Sequence, residues 1–150
     1  MDALVFRLDR SRYALPLGDV VEVLPAVALT TLPMAPAIVE GVIDVRGRLV
    51  PVLDIRARFR LPARQMDLAD HLVLARAGLR TVALRADEAI ELLHLDAQDV
   101  EPIEPAVPGA SYVAGVARTA DGLILLHDLQ TFLTHAESEQ LGRALAEGGA

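Results

Sequence analysis

An all-β fold of two small barrels packed together, closed by one C-terminal helix, is what the 150-residue sequence predicts, and three observations carry the prediction. The first is an internal duplication. The stretch from Ile38-Val39-Glu40-Gly41-Val42 to Asp54 recurs without a gap as Tyr112-Val113-Ala114-Gly115-Val116 to Asp128, so Gly41 and Gly115 stand 74 residues apart, as do Asp54 and Asp128. A fainter echo precedes each copy at an offset of 69: Ala14-Leu15, Val21-Glu22 and Leu24 return as Ala83-Leu84, Ile90-Glu91 and Leu93. The second observation is a period of two in the apolar residues over most of the chain, punctuated by Gly and Pro, which is the mark of short strands and turns. The third is that a helical period enters only after residue 127, with no βαβ alternation before it.

The elements follow in order. Leu4, Phe6 and Leu8 alternate with Val5, Arg7 and Asp9, and with residues 13–17 beyond the polar 9–12 turn they predict a hairpin. Gly18-Asp19 opens a strand through Val20-Val21-Glu22-Val23-Leu24, after a single helical turn. Pro25, Pro33 and Pro36 make residues 25–37 a poor helix. Residues 38–44 and 48–54 read as strands joined at Arg46-Gly47, where glycine supplies the positive φ of a tight turn. Residues 61–70 read as a linker, and 71–76 with 81–85 as a second hairpin about Ala77-Gly78. Pro102, Pro105, Pro108 and Gly109 mark an extended loop, and residues 123–127 a last strand. From Asp128 as N-cap to about residue 146, Leu129, Phe132, Leu133, Ala136, Gln140, Leu141, Ala144 and Leu145 form one stripe. The simplest expectation is that this helix packs on its own barrel, with the terminal Gly148-Gly149-Ala150 frayed. The predicted division is thus a first module over about 12–60, the linker at 61–70, a second module over 71–134 and the helix at 128–146, with strand 3–9 able to pair with either module.

Composition bounds the function. Each module alone is a marginal domain of about 60–70 residues, so the two are expected to share an interface. Cysteine is absent, which removes disulfides, a thiol nucleophile and thiolate metal sites. No charged-then-apolar leader is recognisable and no apolar run approaches the roughly 20 residues of a membrane span, so a cytoplasmic protein is expected. All 14 basic residues are Arg. The net charge of −7 falls entirely on residues 76–150, where five Arg face twelve acids; residues 1–75 balance nine Arg against nine. An acidic chain with 3% aromatic residues lacks the basic footprint and the stacking platform of a nucleic-acid binder. Unequal charge on two similar modules suits head-to-tail contact between related domains.

The search for catalytic chemistry returns mainly exclusions. Without lysine there is neither a phosphate-binding P-loop nor a Schiff base. Of the three serines, Ser111 lies in Gly109-Ala110-Ser111-Tyr112-Val113, which breaks the nucleophile-elbow pattern at its last glycine. His71, His94, His127 and His135 lack metal-site spacing, and His127 stands where the first copy has Leu53, as a packed residue would. Asp54 and Asp128, equivalent in the repeat, read as caps closing a strand. Arg46 remains, at a hairpin apex where the second copy has Ala120; its planar fork of donors suits a carboxylate or a carbonyl cluster of a binding partner. Two other readings stay open at this point: a small-ligand or metal-binding sensor or enzyme with His71, His127 and Asp128 around a pocket between the barrels, and a structural homo-oligomer.

At these residues the chain resembles the CheW-like family of bacterial chemotaxis coupling proteins over about residues 3–134. The resemblance is carried by Tyr13-Ala14-Leu15-Pro16-Leu17, Val20-Val21-Glu22-Val23, Leu32-Pro33-Met34-Ala35-Pro36, the run from Gly41 to Asp54, Val100-Glu101-Pro102 and Tyr112-Val113-Ala114-Gly115-Val116. It implies two five-stranded SH3-like barrels, no catalysis and no cofactor. It also implies an adaptor that joins the cytoplasmic tip of a methyl-accepting chemoreceptor to the regulatory domain of a CheA-type histidine kinase, within membrane-associated arrays. The family's contact positions fall on Arg46, Val20, Glu22 and Leu72, while Gly41 and Gly47 match glycines that shape the first barrel's turns near the kinase contact. The family usually has Asn where this chain has Asp44, and a carboxylate there is expected to pair with Arg46 and alter the receptor it accepts.

Overall fold

In the computed structural model, which describes residues 1–87, 90–103 and 113–148, the chain forms two curled sheets and a helix. The expected loop through Pro105, Pro108 and Gly109, and the last two residues, lie outside the described residues. The strands are β1 (Asp2–Leu8), β2 (Ser11–Pro16), β3 (Val20–Pro25), β4 (Val39–Val45), β5 (Arg48–Leu53), β6 (His71–Ala77), β7 (Arg80–Ala86), β8 (Glu91–His94), β9 (Val100–Pro102), β10 (Val113–Thr119) and β11 (Gly122–His127). One sheet has six strands in the order β8-β1-β2-β11-β10-β9, the other five in the order β3-β6-β7-β5-β4. Neither closes into a full barrel: β3 and β4 are the edges of one, β8 and β9 of the other. The sequence reading did not resolve β8 or β9, both too short to display a period.

The sequence repeat and the sheets are cut differently. Hairpin β1–β2, from the first repeat, pairs with β8 and β11; hairpin β6–β7, from the second, pairs with β3 and β5. The exchange obeys the repeat offsets, since Leu126 lies opposite Ala14 and the equivalent Val52 opposite Ala83, in the two parallel pairings. Both faces of the exchanged hairpins are therefore buried. Leu4, Phe6, Leu8, Tyr13 and Leu15 point into a shared core with Val73, Ala75, Val82 and Leu84 of the other sheet. Ala3, Val5 and Ala14 point instead into the six-stranded sheet's own core, with Ile124 and Leu126. Leu72, Leu74 and Ala83 do the same in the five-stranded sheet, with Ile43, Val50 and Val52. Two marginal modules thus become one body, as their size requires.

The duplicated Gly-Val motif has a steric cause. Each copy carries a bulge, between Val39 and Gly41 and between Val113 and Gly115. A crossing segment then passes over the glycine: an added Cβ would lie 2.7 Å from the Thr30 carbonyl oxygen at Gly41, and 2.9 Å from that of Glu101 at Gly115. The repeated aspartates are caps, as expected. Asp54 Oδ1 accepts from Ala57 N (3.1 Å) and opens the one-turn helix α1 (Ile55–Arg58); Asp128 Oδ1 accepts from Gln130 N (3.0 Å) and opens a 3-10 turn, Leu129–Thr131.

The C-terminal helix differs from the expectation in start and in place. Helix α2 (His135–Gly148) begins only after Thr134, whose hydroxyl accepts from Glu137 N (3.1 Å) while Glu137 Oε1 accepts from Thr134 N (2.9 Å). This Thr-x-x-Glu capping box outcompetes the earlier Asp128 cap, whose 3-10 turn ends the regular stripe. Rather than covering its own repeat, α2 packs Leu141 and Ala144 against Leu32 and Val42 of the five-stranded side, and Gln140 Nε2 donates to the Met34 carbonyl (3.0 Å).

Residues 61–70 are tied down by charge. Buried Arg56 binds Asp9 (2.8 Å) and Asp87 (2.7 Å); Arg64 binds Asp87 (2.7 Å) and buried Asp70 (2.5 Å); buried Arg85 binds Glu40 (2.7 Å). The network joins the β1–β2 turn of one sheet to α1, β7 and β4 of the other. Removing one member would strand a buried charge, the costly way to break such a set.

Candidate functional site: a clasped seam in the five-stranded sheet

Between the free edge of β3 and the β4–β5 hairpin the five-stranded sheet stays open, and the site lies in that seam. Arg46 and Gly47 form the two-residue hairpin turn with φ of 52° and 86°. Positive φ at both central residues is the type I′ geometry whose twist matches a hairpin, and glycine meets it without strain. Asp44 supports the turn: its Oδ1 accepts from Gly47 N at 2.7 Å. The expectation that Asp44 pairs with Arg46 is replaced by a different partner. Arg46 reaches across the seam to Glu22 on β3, where both guanidinium Nη atoms donate to the carboxylate.

This pair is a clasp on the surface, with side chains 72% and 26% exposed for Arg46 and Glu22. Each charge favours the other's ionised form: the hydrogen bond from Arg46 holds the Glu22 carboxyl below its ordinary value, and that same bond raises the Arg46 guanidinium. Beneath it lies a cleft of about 130 Å³ bounded by Val21, Glu22, Val45, Arg46, Arg48, Val50, Leu74 and Thr81. Val21 and Val23 are exposed apolar side chains on β3, beside the clasp. The arrangement offers a bidentate cation, a displaceable carboxylate and an apolar strand edge, which are the parts of a protein-recognition surface.

The other expected site residues divide. Val20 and Glu22 share β3 with the apolar edge, and Gly47 sits at the turn. Gly41 is buried under Thr30, so it acts on the surface only through backbone placement. Leu72 is wholly buried in the five-stranded core and has no surface to give a partner; as the register neighbour of Leu24 it supports β3 from beneath. His127 and Asp128 of the sensor or enzyme reading are each engaged elsewhere. His127 is enclosed between Phe59 (5.2 Å between ring centres) and Phe132 (4.9 Å), with neither ring nitrogen hydrogen-bonded, and burial lowers its pKa to about 3. Asp128 is turned to its cap. Among the described residues no group of three or more His, Cys, Asp or Glu could hold a metal ion, and no helix is long and apolar enough to cross a membrane.

Two curled sheets with exchanged hairpins, joined by a common core and left open at a clasped seam, make up one small β module. Comparison with known proteins gives its family: the CheW-like domain model matches residues 2–137. The chain belongs to the CheW-like family, and it is a non-catalytic adaptor of chemotaxis-type signalling. It is 26% identical to the chemotaxis protein CheW of Klebsiella aerogenes over 136 residues, covering 89% of this chain and 82% of that protein. It is 29% identical to protein FrzA of Myxococcus xanthus over 118 residues, 77% of this chain and 72% of the other. The crystal structure of the scaffolding protein TtCheW from Thermoanaerobacter tengcongensis superposes with a TM-score of 0.82 at 28% identity, covering 91% of this chain and 94% of that one.

Proposed function

We propose that this chain links the cytoplasmic tip of a methyl-accepting chemoreceptor to the regulatory domain of a CheA-type histidine kinase, in the cytoplasm at membrane-associated arrays, and that the clasped seam receives the receptor. The observation that carries the reading is Arg46. It projects from a turn held by Gly47 and Asp44, lies largely in solvent, and already grips a carboxylate in a bidentate fork across an apolar edge. A receptor side chain or helix end that competes for Arg46 or Glu22 exchanges one surface ion pair for another, so the opening of the clasp costs little. Val20, Val21 and Val23 then supply apolar contact along β3. Kinase regulation follows by linkage: an adaptor that binds one receptor state better than the other transmits that difference to whatever else it holds.

Arg46→Glu places like charges across the seam without touching the core. The expected result is an unchanged circular dichroism spectrum with loss of co-sedimentation on receptor-bearing membranes, corresponding to about 2 kcal/mol or more of binding. A folded Arg46→Glu protein that still co-sediments and still supports kinase activation would overturn the assignment of the site.

A further inference from the structure

The six-stranded sheet has a seam in the equivalent place, and its chemistry differs. By the repeat offsets Glu22 corresponds to Glu91 and Arg46 to Ala120, so the second seam lacks the clasping arginine. Glu91 is met instead by Arg12 from β2, at 3.6 Å, and Arg12 is held in turn by its Nη2 donating to Thr119 Oγ1 at 2.7 Å. Where the first cleft holds about 130 Å³, this one holds about 650 Å³, walled by Arg7, Arg10, Arg12, Ile90, Glu91 and Asp121.

Three arginines on one hairpin require an explanation. Arg7 and Arg12 are direct register partners on β1 and β2, and like charges placed opposite in a sheet repel. Only Arg12 is tied back; among the described residues Arg7 and Arg10 have no ion pair or hydrogen-bonded side chain. The protein as a whole carries −7, so this cleft is a local cationic focus on an acidic molecule.

We propose that this second seam binds an extended acidic segment of a partner protein, whose carboxylate enters between Arg7, Arg10 and Arg12. The guanidinium fork matches a planar carboxylate. Among the described residues, Glu91 and Asp121 on the rim leave three arginines against two acids, an excess suited to a single carboxylate and poorly suited to a phosphate dianion. The volume lies in the range that ligand-sized groups fill and exceeds what a lone inorganic ion needs. Ile90 gives an apolar contact at the wall, and β8 is a sheet edge along which an extended chain can lie.

The test uses the full chain and fluorescence anisotropy with a labelled, end-blocked peptide of alternating Val and Glu, its Val and Gln counterpart, and inorganic phosphate as competitor. The Glu peptide is expected to bind at least about tenfold more tightly than the Gln peptide. The double variant Arg7→Glu/Arg10→Glu, both exposed and outside the cores, is expected to lose that preference, whereas Arg46→Glu keeps it, which separates this site from the receptor seam. Equal binding of the two peptides, an unaffected double variant, or displacement of the peptide by an equal concentration of phosphate would each sink the proposal.

Discussion

The two seams descend from one pattern and differ in the charges they carry. In the five-stranded sheet, Arg46 at the β4–β5 turn clasps Glu22, and the cleft beneath is small; in the six-stranded sheet, Ala120 leaves Glu91 to Arg12, and the cleft is wide. Around that difference the scaffold repeats closely. Both sheets have the bulge and the crossed glycine, the parallel pairing to an exchanged hairpin, and the aspartate that ends the last strand. Duplication therefore fixes the frame by sterics and backbone hydrogen bonds, and leaves the seams free to acquire separate charge chemistry. The comparison teaches where to look for function in a repeated fold: at equivalent positions whose side chains are not equivalent.

The largest test concerns the strand ends, where Leu53 of one copy corresponds to His127 of the other. With no partner for either nitrogen, the His127 imidazole stays neutral, its pKa lowered by burial to about 3 against an ordinary 6.5. Because the folded state takes the proton less readily than the unfolded chain, stability is complete above about pH 6.5 and declines as the pH falls toward 3. At pH 4 the loss from this group is on the order of 3 kcal/mol. His127→Leu restores the apolar residue of the first copy, so urea denaturation at pH 7 and pH 4 is expected to show that portion of the acid sensitivity gone. A variant as acid-labile as the parent would mean that the ring finds a proton acceptor in the folded protein.

Next in size are the crossed glycines. Gly41→Ala and Gly115→Ala each force a methyl to within 3 Å of a backbone carbonyl oxygen, which cannot swing aside as a side chain would. Each is expected to destabilise by about 1–3 kcal/mol, the usual cost of overpacking. Similar losses in thermal melts would establish that the two sheets use the glycine alike; a neutral effect at one alone would break the equivalence of the crossings.

What the sequence made legible follows from range. The hairpins, the Arg46-Gly47 turn, the aspartate caps and the duplication are recorded in neighbouring residues or fixed offsets, and they stand in the structure. The exchange of hairpins is not local: the parallel β5–β7 contact rests on two register pairs between strands about thirty residues apart, with no pattern of its own. Nor is the Arg56, Arg64 and Arg85 network, whose partners come largely from distant turns and strands and leave no pattern in neighbouring residues. The capping box at Thr134-His135-Ala136-Glu137 was readable, and the continuous apolar stripe concealed it. At the site, the family resemblance pointed to Arg46, Val20 and Glu22, of which the structure joins Arg46 to Glu22 across the seam, while periodicity alone could not show that Leu72 faces inward.

The smallest effect is the one that separates turn chemistry from recognition. Position 44 corresponds to 118 in the second copy, where Arg118 leaves the turn to bind Glu101 at 2.8 Å and Thr119 Oγ1 donates to the Gly122 carbonyl instead. Asp44 therefore serves its own turn, through one oxygen accepting from Gly47 N, and an asparagine oxygen can accept the same bond. Asp44→Asn is expected to change stability by only a few tenths of a kcal/mol, and Asp44→Ala by about 1 kcal/mol, since the alanine leaves the Gly47 amide without that bond. If Asp44 acts through the turn alone, receptor co-sedimentation follows the same order: near parental for Asn, weakened for Ala as the Arg46 apex loosens. A strong gain or loss of receptor binding in Asp44→Asn, with stability unchanged, would show that the carboxylate charge itself is read by the partner, and that the first seam presents a mixed pair of charges where the second presents a cluster of cations.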